Sequence, residues 1–150
     1  MFGGNGSGFV TYATNFRKKD LKMANRTKIK WTDFTWNPIT GCTKYSEGCQ
    51  NCYAEGMTRR LKAMGQPKYS AGFNMVVCHE IELSRQLPKK PSMIFINSMS
   101  DTFHKNVFDS FIINLFEIMN DNPQHIFQVL TKRAERLPMM NNRLHWTPNI

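Results

Sequence analysis

At 150 residues the chain is long enough for one compact domain with a real core and too short to expect two. With 41% hydrophobic and 12% aromatic residues the composition is globular, and no apolar run approaches the roughly 18 residues needed to cross a bilayer, so a helical membrane protein is excluded. The formal charge of +9, from 20 Lys and Arg against 11 Asp and Glu, favours an anionic partner such as nucleic acid, nucleotide or phosphorylated metabolite, although basic residues scattered as Arg17-Lys18-Lys19, Arg59-Arg60, Lys89-Lys90 and Lys132-Arg133 also suit a solvated surface.

The opening Met1-Phe-Gly-Gly-Asn-Gly-Ser-Gly8 is glycine-rich and aperiodic, and basic polar sequence follows to Lys22, so residues 1–25 read as a disordered leader ahead of a single domain over 26–150. Met23 is then an expected translation start. From Lys28 the aromatic, β-leaning stretch Ile29-Lys-Trp31-Thr-Asp-Phe34-Thr-Trp36-Asn-Pro38 predicts a first strand that runs into the loop carrying Cys42, Cys49 and Cys52. After Cys52 the apolar positions Tyr53, Met57, Leu61 and Met64 recur at helical spacing, and Gly65 supplies a stop.

Residues 66–91 read as connecting structure, with a short helix from His79 to Leu87 before the Pro88-Lys-Lys-Pro91 break. Met93-Ile-Phe-Ile-Asn97 is an unbroken apolar run, hence a buried strand, and the polar loop Ser98 to His104 follows it. Val107, Phe108, Phe111, Ile112, Leu115, Phe116 and Met119 then line one face of a helix that ends at Asn122-Pro123. A second buried strand, His125 to Leu130, leads into Thr131-Lys132-Arg133 and a weaker helix to Leu144.

Strand and helix therefore alternate three times, and the strand ends at Asn97 and Leu130 lie 33 residues apart, the length of a βαβ unit. An α/β fold with a parallel sheet is expected, with the loops 41–52, 98–104 and 131–133 emerging together at its carboxyl edge. Trp146 to Ile150 reads as the start of a fourth strand, which makes the expected architecture a truncated one.

Residues 1–22 lack the features of a secretory signal, so a reducing, cytoplasmic setting is expected, where clustered cysteines serve metal or redox chemistry more often than disulfides. Three thiols in one loop can hold three irons of a four-iron cluster and leave the fourth open to a small molecule. The alternative is a zinc knuckle completed by Cys78 or His79, in a non-enzymatic module for nucleic acid or a partner protein. Cys78, between Val77 and His79, also reads as an ordinary buried thiol, and Trp31 and Trp36 as packing anchors.

Four segments carry a resemblance: Trp31-Thr-Asp-Phe-Thr-Trp-Asn-Pro-Ile-Thr-Gly-Cys42, Gly48-Cys-Gln-Asn-Cys-Tyr-Ala-Glu55, Asn97-Ser-Met-Ser-Asp-Thr-Phe-His104 and Phe127-Gln-Val-Leu-Thr-Lys-Arg133. They resemble a phage-associated three-cysteine-motif family of uncharacterised proteins, which is similar in turn to radical S-adenosylmethionine (radical SAM) enzymes of the spore photoproduct lyase type. The common radical SAM loop has three residues between its first two cysteines and an aromatic before the third, whereas this chain has six and Asn51.

The resemblance implies a partial parallel (β/α) barrel, supplied here to about three units and so truncated. It implies that Cys42, Cys49 and Cys52 bind a four-iron, four-sulfur (4Fe-4S) cluster, that S-adenosylmethionine chelates the open iron, and that its reductive cleavage yields a deoxyadenosyl radical for hydrogen abstraction. Ser98, Ser100 and Asp101 would hydrogen-bond the cofactor, and Lys132 would meet its carboxylate. The partners it implies are an unidentified substrate, with nucleic acid or a nucleotide as first choice, and a reductant such as flavodoxin or ferredoxin, in a bacterial or phage-infected cytoplasm. An inactive remnant of a longer gene is the third reading. Turn and cap chemistry is the plain alternative for Ser98, Ser100 and Asp101, solvation for Lys132, and loop capping for Glu55 and His104.

Overall fold

A computed structural model describes residues 24–150. The expected leader lies outside the described residues except for its last two positions, where Ala24 is buried and Asn25 pairs with Thr35. In chain order the elements are β1 (Asn25–Arg26), β2 (Phe34–Trp36), β3 (Ile39–Thr40), α1 (Tyr53–Ala63), β4 (Val77–Cys78), α2 (Glu80–Leu83), β5 (Met93–Ile96), α3 (Asp109–Asn120), β6 (Ile126–Val129) and α4 (Arg136–Asn141). Single 3-10 turns at Glu47–Cys49 and Pro67–Tyr69 join them.

The fold is mixed α/β around a mostly parallel four-stranded sheet in the order β1-β2-β5-β6. β2, β5 and β6 run parallel, with Phe34 opposite Ile94 and Ile94 opposite Phe127, while β1 is antiparallel at the edge. The unit β5-α3-β6 is the expected crossover. Because side chains alternate along a strand, Trp36, Ile94, Ile96 and Phe127 all point to one face, where Phe111, Ile112, Leu115, Phe116 and Met119 of α3 cover them to form the core.

Several expectations shift. The first strand is shorter than Ile29 to Pro38: Pro38 has no N–H for the ladder, so after Trp36 the chain leaves the sheet, and β3 pairs with β4 in a separate antiparallel ribbon. β4 itself is unforeseen in the connecting segment, and α2 occupies only part of the expected His79–Leu87 helix. α1 begins and stops as expected, since Gly65 at φ 71 lets the Gln66 N–H reach the Leu61 carbonyl. Its inward face, however, is Ala54 and Thr58, whereas Tyr53 and Met64 are 66% and 63% exposed.

β6 is also half-open rather than fully buried, because it is the last strand of the sheet: Phe127 is buried, but Ile126 and Leu130 are exposed. Trp146 to Ile150 forms a turn instead of a strand. The Asn149 amide donates to the Met119 carbonyl at 3.1 Å, and its own carbonyl accepts from the Phe127 N–H at 2.7 Å, so this turn caps the end of α3. Among the described residues no helix is long and apolar enough to cross a membrane.

Candidate cysteine cleft

The loop after β3 is set by Gly41, whose φ of 79 and lack of Cβ let it lie against the Met75 carbonyl while the Cys42 N–H donates to the Phe73 carbonyl at 2.7 Å. The chain then makes the 3-10 turn, with the Cys49 N–H donating to the Ser46 carbonyl at 2.8 Å, and Cys52 stands at the head of α1. Cys42, Cys49 and Cys52 thereby line one open cleft of about 480 Å³, together with Tyr53, Phe95 and the expected Ser98, Ser100, Asp101 and Lys132. The three polar loops do meet at the carboxyl ends of the parallel strands, where this class of sheet places its sites.

Hydrogen bonds tie those loops together. Asp101 accepts from the Thr131 hydroxyl at 2.7 Å, the Phe103 N–H at 2.9 Å and the Lys132 N–H at 3.0 Å. Ser98 donates to the Asn37 side chain at 3.0 Å, and Ser100 donates to the Gly41 carbonyl. Lys132 Nζ donates to the Gly48 carbonyl at 2.8 Å and lies 3.7 Å from Cys49 Sγ. Each of these residues therefore lines the cleft and also latches a loop. Asp101→Asn would set an amide N–H against the Lys132 N–H and lose a bond to a charged acceptor, an expected cost of about 2 kcal/mol that chemical denaturation would measure.

Behind these residues lies a second layer, of which the sequence reading singles out only His104. Arg133, only 6% exposed, donates through Nη2 to the Thr43 carbonyl at 2.8 Å and the Thr43 hydroxyl at 3.1 Å, and its guanidinium lies 4.8 Å from the centre of the Tyr45 ring. His104 is fully buried; its Nδ1 accepts from the Asn106 N–H at 3.1 Å, which leaves Nε2–H to donate to the Thr43 hydroxyl at 2.9 Å. Burial, with Arg133 next in weight, pushes the His104 pKa down to about 4, so the ring is neutral at physiological pH. Asn97, at φ 57, accepts from the Ile39 N–H at 3.0 Å and donates to the Thr102 hydroxyl at 2.8 Å. For Asn97 and Arg133 the only hint is position, next to expected site residues at strand ends, whereas His104 holds its own loop as the capping reading expects. Glu55 is outside it, paired with Lys44 at 3.4 Å.

The thiols differ. Hydrogen bonds from the Tyr45 and Ser46 backbone, with smaller help from the Ser46 hydroxyl and the Lys132 charge, lower the Cys49 pKa from 9.0 to about 7. Burial raises that of Cys42 despite the Arg133 contact. A depressed pKa keeps the thiolate at lower pH, so alkylation of Cys49 is expected to rise through about pH 7 and that of Cys42 only well above it, as peptide mass spectrometry after timed iodoacetamide pulses would show.

Cys78 and His79 do not line the cleft. Cys78 belongs to the core, where burial raises its pKa to about 11, and His79 Nε2 is 2.8 Å from the Thr40 hydroxyl. Three thiols, one of them poised as thiolate with Lys132 beside it, suit a thiophilic group such as an iron-sulfur cluster. They share the cleft without being gathered: among the described residues no three His, Cys, Asp or Glu side chains form a ready metal group.

A family model described as a protein of unknown function, DUF5131, matches residues 26–150. No curated protein and no solved structure gives a significant match.

Proposed function

The chain belongs to the DUF5131 family, and we propose that it is an iron-sulfur protein of the radical SAM type, built on a partial parallel (β/α) barrel. The observation that carries the reading is the convergence of Cys42, Cys49 and Cys52 with Ser98, Ser100, Asp101 and Lys132 on one cleft at the carboxyl ends of β2, β5 and β6.

The three thiolates would hold the cluster. Lys132 would offset part of their negative charge, being already 3.7 Å from Cys49 Sγ, and is placed to meet a carboxylate entering the cleft. Ser98 and Ser100 use their protons on Asn37 and Gly41, so toward a ligand their hydroxyls are acceptors, suited to amino or ribose groups. Asp101, through the Thr131 hydroxyl and the Lys132 N–H, and Arg133, through the Thr43 carbonyl, hold the Thr131–Arg133 and Cys42–Tyr45 segments at the cleft. When bound, the cluster and S-adenosylmethionine supply reductive cleavage and hydrogen abstraction, with electrons from a flavodoxin- or ferredoxin-like donor.

Anaerobic reconstitution with iron and sulfide tests the reading. Absorbance near 400 nm, iron and sulfide in equal amounts, and release of 5′-deoxyadenosine from S-adenosylmethionine under reduction are expected; a colourless chain without bound iron would overturn it.

A further inference from the structure

The sheet face opposite the core bears Phe95, with the exposed Leu130 at its β6 edge. Trp31, expected to be a packing anchor like the buried Trp36, is 46% exposed and leans on Phe95 with ring centres 4.8 Å apart. Arg26, Lys28, Trp31 and Tyr53 line one groove of about 560 Å³ beside that face, and no acidic side chain among the described residues lines it. Tyr53 also lines the cysteine cleft, so groove and cleft are neighbours that share this side chain. Arg26 and Thr27 also line a neighbouring hollow with Lys89 and Lys90, whose one acid, Asp33, is engaged by the Met93 N–H at 2.9 Å.

We propose that this groove binds single-stranded nucleic acid, with Arg26, Lys28, Lys89 and Lys90 along the phosphates and unpaired bases stacked on Trp31 and Tyr53 toward the cysteine cleft. A net charge of +9 favours a polyanion in general. The exposed aromatics make the choice narrower, because bases paired inside a duplex cannot reach a stacking platform, whereas every unpaired base has a face to offer. The proposal deepens the radical SAM reading by naming its substrate class, but the binding itself needs no cluster.

The test uses the full, cluster-free chain and fluorescence anisotropy with labelled DNA and RNA strands of about 12 nucleotides and the matching duplex. Both single strands, or one of them, should bind more tightly than the duplex. Trp31→Ala and Tyr53→Ala should each weaken that binding about tenfold. Lys28→Glu should weaken it and lower the salt slope by about one or more, while Lys62→Glu, the same charge change on α1 outside the groove, should do neither. No binding at low salt, a duplex preference, unchanged binding in both aromatic variants, or equal losses for Lys28→Glu and Lys62→Glu would overturn the proposal. Reconstitution is read separately, so failure of the cluster and failure of the groove are distinct results.

Discussion

Replacing any one of Cys42, Cys49 and Cys52 by Ala is expected to cut the iron and sulfide of the anaerobically reconstituted chain from about four of each to near background, with loss of the 400 nm band. With three protein thiolates and one iron left open there is no spare ligand, so each loss removes a corner of the site. Cys78→Ala is the built-in contrast. That thiol lies in the core, away from the cleft, and its loss should cost some stability but no iron. Equal loading in all four variants would show that iron binds elsewhere. One zinc per chain, lost on Cys78→Ala or His79→Ala, would support the closed zinc module instead, and would require β4 to leave the Ile39–Cys78 pairing.

Gly41→Ala is expected to destabilise the fold by about 4 kcal/mol or more, beyond the usual range for a point substitution. A left-handed conformation costs a residue with a Cβ about 1–2 kcal/mol. The larger part is overlap: an added Cβ would stand 1.9 Å from the Met75 carbonyl oxygen, so backbone must move. The movement would disturb the 2.7 Å bond from the Cys42 N–H to the Phe73 carbonyl, and also the bridge from Gly41 to Ser100 that aligns the cysteine loop with the Ser98 loop. Gly65→Ala separates the two effects, because Gly65 has φ 71 but nothing within 4 Å of its Cβ position. It should cost only the conformational 1–2 kcal/mol, roughly. Denaturant midpoints would measure both, and a Gly41→Ala cost no larger than that of Gly65→Ala would show that the β3–loop junction yields.

The strand Met93–Ile96 and helix Asp109–Asn120 are legible in the sequence because a four-residue apolar run and a 3.6-residue apolar stripe are local patterns long enough to stand out. The face of α1 is not. Tyr53, Met57, Leu61 and Met64 make a stripe, yet the helix borders an open cleft rather than the core, so the small Ala54 and Thr58 turn inward and Tyr53 faces the groove. The β3–β4 ribbon escapes for another reason: two-residue strands have no period, and their pairing spans the segment between Thr40 and Val77.

The two tryptophans show the same division. Their sequence contexts are alike, but Trp36 donates its indole N–H to the Glu82 carbonyl at 3.1 Å inside the core, while Trp31 sits on the other face of the sheet. Trp36 ends β2 with its side chain on the covered face, whereas Trp31 lies in the turn before that strand, and neighbours from distant segments decide what covers each.

What the sequence determined by itself is the set of donors and their order: three thiols after the first parallel strand, a Ser/Asp loop after the second and Thr-Lys-Arg after the third. What only the tertiary structure decided is how those groups are engaged. Asp101 becomes a clasp between its own loop and the Thr131–Arg133 loop, Arg133 and His104 a buried support beneath Thr43, and Cys49 a thiol whose pKa is lowered to about 7. The reason is physical: a residue's chemistry travels with the chain, but its burial, its hydrogen-bond partners and the charges beside it come from segments that are distant in sequence and meet only when the sheet forms.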